Sequence, residues 1–304
     1  MRKSVLFTGV GVVVASLALT ACGSNSSPST KKAALKQFVA SLGASPDVQV
    51  HLTGSFTGGG SSAKVQTVLK GTSLDVNVSN PSGAPLSQAG ASANTELIFN
   101  AGGKAFLDVR EVDGNFYLKV DLTALSTIPG TKFTPAEIAA AQAFLGGRWF
   151  ELPKSLLHTL IGHSKVPKAQ IASDQRVEAK VLGALANFID TAHYTTLSNG
   201  FSESGTLKSV VTALTPTIQQ FAHTHATSKP VKGTFKLSIT TSGSTLTGGS
   251  ISITAPNGTK GNATGTLTAT VAHAGVSVTA PSSSTPITPQ LLASFGLSKA
   301  LGKG

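Results

Sequence analysis

Few residues in this chain have the types and spacing that chemistry needs. Ser61-Ser62-Ala63-Lys64 has the S-x-x-K spacing in which a lysine can activate a serine nucleophile. That use requires the serine at a helix start, with Ser-Asp-Asn and Lys-Thr-Gly elsewhere in the chain. Here the tetrapeptide follows Gly58-Gly59-Gly60, and Lys70-Gly71-Thr72 and Lys232-Gly233-Thr234 have the wrong order. The match is read as chance. Gly200-Phe201-Ser202-Glu203-Ser204-Gly205 also lacks the G-x-S-x-G spacing of a nucleophile elbow. His223-Thr224-His225 offers two imidazoles but has no H-E-x-x-H context and no nearby carboxylate, so it reads as a polar helix end rather than a zinc site. His158 and His163 flank a helix end, where a cation complements the dipole. The 13 Asp and Glu are spread thinly, without a pair suited to acid–base work. No catalytic residue, metal or cofactor is assigned, and the expectation is that the protein is not an enzyme.

Cys22, the single cysteine, is the exception. It cannot form an internal disulfide, so the fold must hold by its core. Met1-Arg2-Lys3 is a short positive segment, and an apolar run follows to Leu19, broken by Gly9, Gly11 and Ser16. The run is short for a spanning helix and has the flanks of a secretory signal. It ends in Leu19-Thr20-Ala21-Cys22, which resembles the bacterial lipobox, whose cysteine receives a diacylglycerol and becomes the new N-terminus. Two acyl chains meet the requirement for stable anchoring. The alternative is a plain signal peptide with a chance cysteine. Residues 23–30 (Gly-Ser-Asn-Ser-Ser-Pro-Ser-Thr) read as a flexible tether.

The elements that would carry a site begin with residues 94–122. Asp113-Gly114 between alternating apolar residues is a type I′ hairpin signal, preceded by a third strand at 95–100. The turn sets Val109 opposite Leu118, Leu107 opposite Val120 and Ala105 opposite Leu122. Arg110 then meets Tyr117, and Asp108 meets Lys119, on a face expected to be wet. Residues 31–42 read as a helix with Leu35, Phe38, Val39 and Leu42 on one side. Val48, Val50, Leu52 and Phe56 alternate as a strand. Residues 65–70 and 73–79 read as a hairpin across Gly71-Thr72, pairing Val65 with Val78, Thr67 with Val76 and Leu69 with Leu74. Residues 80–93 form a loop long enough to border a mouth. Thr134-Pro135-Ala136-Glu137 starts a helix with Ile138, Ala141 and Leu145 on one side, ended by Gly146-Gly147. Arg148-Trp149-Phe150-Glu151 is a short strand, and Pro153 opens a further helix. Residues 173–190 and 206–222 have helical periodicity, the second broken at Pro216. Alternating runs follow at 235–240, 245–254, 264–271 and 276–280, then a weak helix or tail at 291–301.

Composition bounds the partners. Across 304 residues, hydrophobic side chains are 40% and charged ones 12%, which is a folded and not a disordered balance. The formal charge is +11, and loss of Arg2 and Lys3 with a signal peptide would leave about +9. These charges are scattered, without interleaved aromatics, so nucleic acid is not an expected partner. An anionic membrane surface suits a mildly basic chain better. One Trp and two Tyr are few for carbohydrate platforms or aromatic cages.

The lipobox, Val112-Asp113-Gly114-Asn115-Phe116-Tyr117-Leu118, Gly147-Arg148-Trp149 and Val278-Thr279-Ala280-Pro281 together resemble actinobacterial envelope lipoproteins of the LppX/LprG family and its fold relative LolA. The resemblance covers most of residues 31–281. It implies an α+β fold: a curved antiparallel half-barrel with helices on its concave apolar face, enclosing a cavity for lipid acyl chains carried across the envelope. The chain departs from that pattern in its Gly/Ser/Thr-rich second sheet.

The expected organisation is a signal peptide at 1–21, a tether at 22–30, a single α+β domain at 31–281 and a tail at 282–304. The expected function is to hold lipid or lipoglycan acyl chains at the outer face of the cell membrane, anchored through Cys22. Val76, Val78, Leu107, Leu118 and Val120 on the sheet, with Ile138 and Leu145 opposite, would line the cavity. Trp149 is either a core plug beside Phe150 or the cavity gate. The same residues would form an ordinary filled core if the helices pack tightly. The protein would then be a structural or interaction lipoprotein with partners the sequence does not name.

Overall fold

A computed structural model describes residues 41–58, 66, 71–89, 92–126, 134–152, 194–208, 232–243, 245–257, 261–273 and 275–288. Its strands are β1 (Asp47–Gly58), β2 (Thr72–Ser79), β3 (Asn94–Ala101), β4 (Lys104–Val112), β5 (Asn115–Val120), β6 (Trp149–Leu152), β7 (Tyr194–Leu197), β8 (Gly200–Thr206), β9 (Thr234–Ser242), β10 (Thr245–Pro256), β11 (Asn262–Ala272) and β12 (Thr285–Pro286). Short helices α1 (Leu86–Ala89), α2 (Leu122–Ser126) and α3 (Pro135–Leu145) lie between them. All twelve strands join one sheet, in the order β12-β6-β5-β4-β3-β2-β1-β11-β10-β9-β8-β7. Every pairing is antiparallel except β12 with β6. The fold is therefore α+β and dominated by its sheet.

The Asp113-Gly114 turn forms as its residues demand, with φ of +52° at Asp113 and +76° at Gly114. Val109 lies opposite Leu118, Leu107 opposite Val120, Arg110 opposite Tyr117 and Asp108 opposite Lys119, as expected. Ala105 does not pair with Leu122. The β3–β4 ladder shifts register between Phe99 and Asn100, which sets Ala105 against Asn100. The Asp121 N–H donates to Phe106 O at 2.9 Å. Asp121 Oδ1 then accepts from the N–H groups of Thr123 (2.9 Å) and Ala124 (3.1 Å), capping α2 where the strand would have continued.

The hairpin expected across Gly71-Thr72 is also replaced. Both edges of β2 are occupied, by β1 and by β3, so Val76 faces Val50 and Leu97, and Val78 faces Val48 and Thr95. A strand from residues 65–70 has no free edge of β2 to join. The two halves of the chain do not form separate sheets either: β11 pairs with β1 from Gln49↔Ala272 to Gly58↔Ala263. Glycines of the second half stand where strands crowd. A Cβ on Gly248, at the β9–β10 register shift, would lie 2.5 Å from Ala269 O. Of the four alternating runs expected after residue 230, three are β9, β10 and β11. Residues 276–280 join no ladder.

Those residues form a strap across the polar face. The Val278 N–H donates to Ser79 Oγ (3.0 Å), Val278 O accepts from Asn94 Nδ2 (3.0 Å), and Thr279 O accepts from Arg110 (3.3 Å). Val276 and Val278 pack with Val112, Tyr117 and Trp149. The face expected to be wet is thus partly covered, because Val112 and Tyr117 give the strap an apolar seat. The strap leads into β12, where Ile287 N–H donates to Glu151 O (2.7 Å). The paired chain therefore runs past Pro281, into what was expected to be a tail.

The main core sits on the other face, where Leu42, Val48, Val50, Val76 and Leu97 are buried together. The loop after β2 is tied down: Asn80 Nδ2 donates to Ala84 O (2.8 Å), its Oδ1 accepts from Ser82, and Leu86 N–H donates to Ser45 O (2.8 Å). Helix α3 starts after Thr134, whose carbonyl accepts the Ile138 N–H at 3.0 Å, and ends at Gly147, with φ +67°. Of the helices expected at 31–42 and 206–222 only residues 41–42 and 206–208 are described, and those expected after Pro153 and at 173–190 lie outside the described residues, as does the chain from residue 289.

Candidate ligand-binding face

Alternation along each strand and in-register pairing across the sheet assemble one continuous apolar face. Its central row runs Val50, Val76, Leu97, Val109, Leu118, Phe150 across six strands. The next row runs Leu74, Phe99, Leu107, Val120 to one side of Leu52 and Ala269, Gly249, Ile239, Phe201 to the other.

The structure brings Val76, Val78, Leu107, Leu118 and Val120 together on this face. Val76 is fully buried and the other four are half-buried. Ile138 and Leu145 are half-buried on α3, which packs on α2, and α2 on β4 and β3. Trp149 stands on the opposite face. Consecutive strand residues point to opposite sides, and Phe150, 5% exposed, takes the apolar one. The Trp149 ring instead covers the Arg110 guanidinium, 4.3 Å from its centroid, with Lys119 Nζ at 5.8 Å. Cys22 lies outside the described residues.

Toward β7 the face changes character. Ile251, Ile253 and Leu267 are 38%, 43% and 47% exposed, although all three point to the apolar side. In the row of Ile251 and Leu267 lie Leu237 and then Glu203. Glu203 is 1% exposed, and among the described residues neither carboxyl oxygen has a hydrogen-bond partner. Burial pushes its pKa from 4.5 up to about 7. Sequence reading passed over this residue because residues 194–205 were not read as strands. The signals were Gly200 directly after the Ser198-Asn199 turn and the alternation of Phe201, Glu203 and Gly205 beyond it.

The polar face holds a different arrangement. Arg110 Nε pairs with Glu96 Oε1 at 2.6 Å, and Arg110 Nη2 with Asp108 Oδ2 at 3.4 Å. Asn77 Nδ2 donates to Glu96 Oε2 at 2.6 Å. Burial, and then the negative charge of Glu96, raise the Asp108 pKa to about 6 against the pull of Arg110. Farther along, an open depression of about 390 Å³ is lined by Ser204, Gly205, Thr234, Phe235, Lys236, Ser252 and Thr254. It contains none of the residues expected to line a cavity. Among the described residues no three His, Cys, Asp or Glu are grouped to hold a metal ion, and no helix is long and apolar enough to cross a membrane. No protein-family model matches this chain, and no curated protein matches it in sequence.

Proposed function

We propose that the protein is a membrane-anchored extracytoplasmic lipoprotein that holds an apolar ligand, lipid or lipoglycan acyl chains, for transport or presentation in the envelope. The observation that carries this reading is apolar surface left in contact with water: Ile251, Ile253 and Leu267 stay exposed on a face that is otherwise core. Each methylene that a ligand buries there contributes about 0.8 kcal/mol. Holding is by burial, without a chemical step. In this reading the sheet curves as in LppX and LolA, helices close over its concave side, and two acyl chains on Cys22 keep the domain at the outer membrane surface.

The test has two arms. Protein purified from its own membranes should release a lipid on extraction and carry its mass in native mass spectrometry. Cys22→Ala should leave unprocessed precursor or release soluble protein, with loss of metabolic fatty-acid labelling. A ligand-free protein that displaces no fluorescent acyl probe overturns the carrier reading. Labelling that survives Cys22→Ala overturns the anchor.

A second reading, a structural or interaction lipoprotein with a filled core, is favoured by the close packing of Leu42, Val48, Val50, Val76 and Leu97. It predicts no lipid in the same extraction.

A further inference from the structure

We propose that the exposed apolar lane of Ile251, Ile253 and Leu267 ends in a head-group site at Glu203, which takes the hydrogen-bond-donating head, hydroxyl or amine, of a single-chain amphiphile. This rests on the apolar-ligand reading above and narrows it.

The register places the lane and the carboxyl on one line. Glu203 pairs with Leu237, Leu237 with Ile251, and Ile251 with Leu267. Paired residues in alternate positions share a face, so all four side chains rise from the same side of the sheet. Strand spacing puts Ile251 about 10 Å and Leu267 about 15 Å from Glu203 along the row. One acyl chain laid along that row covers Leu267, Ile251 and Leu237 and brings its head to the carboxyl.

In the flanking rows, a Cβ on Gly205 would lie 2.7 Å from the Phe235 ring, one on Gly249 3.1 Å from Ile239 Cδ1 and one on Gly265 3.6 Å from the Phe56 ring, so neighbouring side chains lean over these glycines. The lane is therefore bounded by Phe235 and Ile253 on one side and by Phe201 and Ile239 on the other.

Glu203 supplies the chemistry. A carboxyl shut off from water normally has a partner, because its hydration is lost on burial. This one has none among the described residues. Its neighbours along β8 on the same face are Phe201 and Gly205, and the charged residue of the adjacent strand, Lys236, points to the opposite face. A ligand hydroxyl or ammonium provides the missing partner, and a few placed polar groups in an apolar site are what fix a ligand's orientation.

The experiment compares dodecanol, dodecylamine and dodecyl methyl ether, which share a chain and differ in the head. Each displaces a fluorescent acyl probe from the full mature chain in lipid nanodiscs, against empty nanodiscs. The alcohol and the amine should bind about tenfold more tightly than the ether. Glu203→Leu should erase that ratio and keep ether binding. Glu203→Gln should keep part of the preference for the alcohol and lose that for the amine. Equal binding of all three by the wild type overturns the head-group site and leaves the apolar-ligand reading standing. Failure of all three to displace the probe overturns both. The wild-type ratio decides the question even if the variants do not fold.

Discussion

Glu203 and Arg110 show two ways in which one sheet buries an ionisable side chain. Arg110 is held from several directions, by Glu96 (2.6 Å), Asp108 (3.4 Å), the carbonyl of Thr279 and the Trp149 ring. Arg110→Leu would leave Glu96 and Asp108 facing one another under the strap, and should cost about 3 kcal/mol in urea denaturation. Glu203 has no hydrogen-bond partner among the described residues, and its proton is tied to folding. Its pKa is raised from 4.5 to about 7, so the folded chain keeps a proton that the unfolded chain releases. The stability this contributes is fully present below pH 4.5 and is lost as pH rises through about 7, on the order of 3 kcal/mol. Asp108, raised from 3.8 to about 6, acts with the same sign over a lower window. Glu203→Gln should flatten the upper part of the stability profile and leave the lower part. An unchanged profile in urea titrations from about pH 4 to 8 would exclude this role for Glu203. The pairing of Arg110 with Tyr117 was legible in the sequence because one turn fixes it. The burial of both was not, since it depends on residues 276–280 arriving from far along the chain.

Elements were legible where their signals are local. Asp113-Gly114 specifies its own φ values and hence the register of β4 with β5. Gly114→Val would force a β-branched residue to φ near +76°, and should lower stability by about 1–3 kcal/mol. Thermal unfolding checks this, and an unchanged melting curve would show that the turn does not carry the strain. The start of α3 after Thr134 and its end at Gly147 are equally local. The partner of β2 was misread because a Gly-Thr dipeptide suggested a short-range hairpin, whereas both of its edges are taken by other strands. The joining of β11 to β1 leaves no mark in either segment. It rests on the matched alternation of two runs some two hundred residues apart.

At the scale of the molecule the apolar face was legible as a pattern, but its occupancy was not, because the same alternation builds a core and a binding surface. Leu118→Trp separates them. The side chain sits between Val109 and Phe150, and in a packed core the added bulk should cost roughly 1–3 kcal/mol. Beside a void the ring is accommodated, so stability holds while acyl-probe binding falls. Thermal unfolding and probe displacement on the same sample give the answer. The strap has a mechanical consequence for the whole sheet. From β11 it crosses β1 through β5 and then lies down beside β6, so it works as a belt buckled at the far edge. Strands under the belt can part only after its bonds to Ser79, Asn94 and Arg110 let go. Among the described residues nothing comparable crosses β7, β8 and β9. The sheet should breathe from that unbelted end, with amide exchange fast in β7 and β8 and slow beneath the strap. Among the described residues, the end without a strap is the one that holds Glu203.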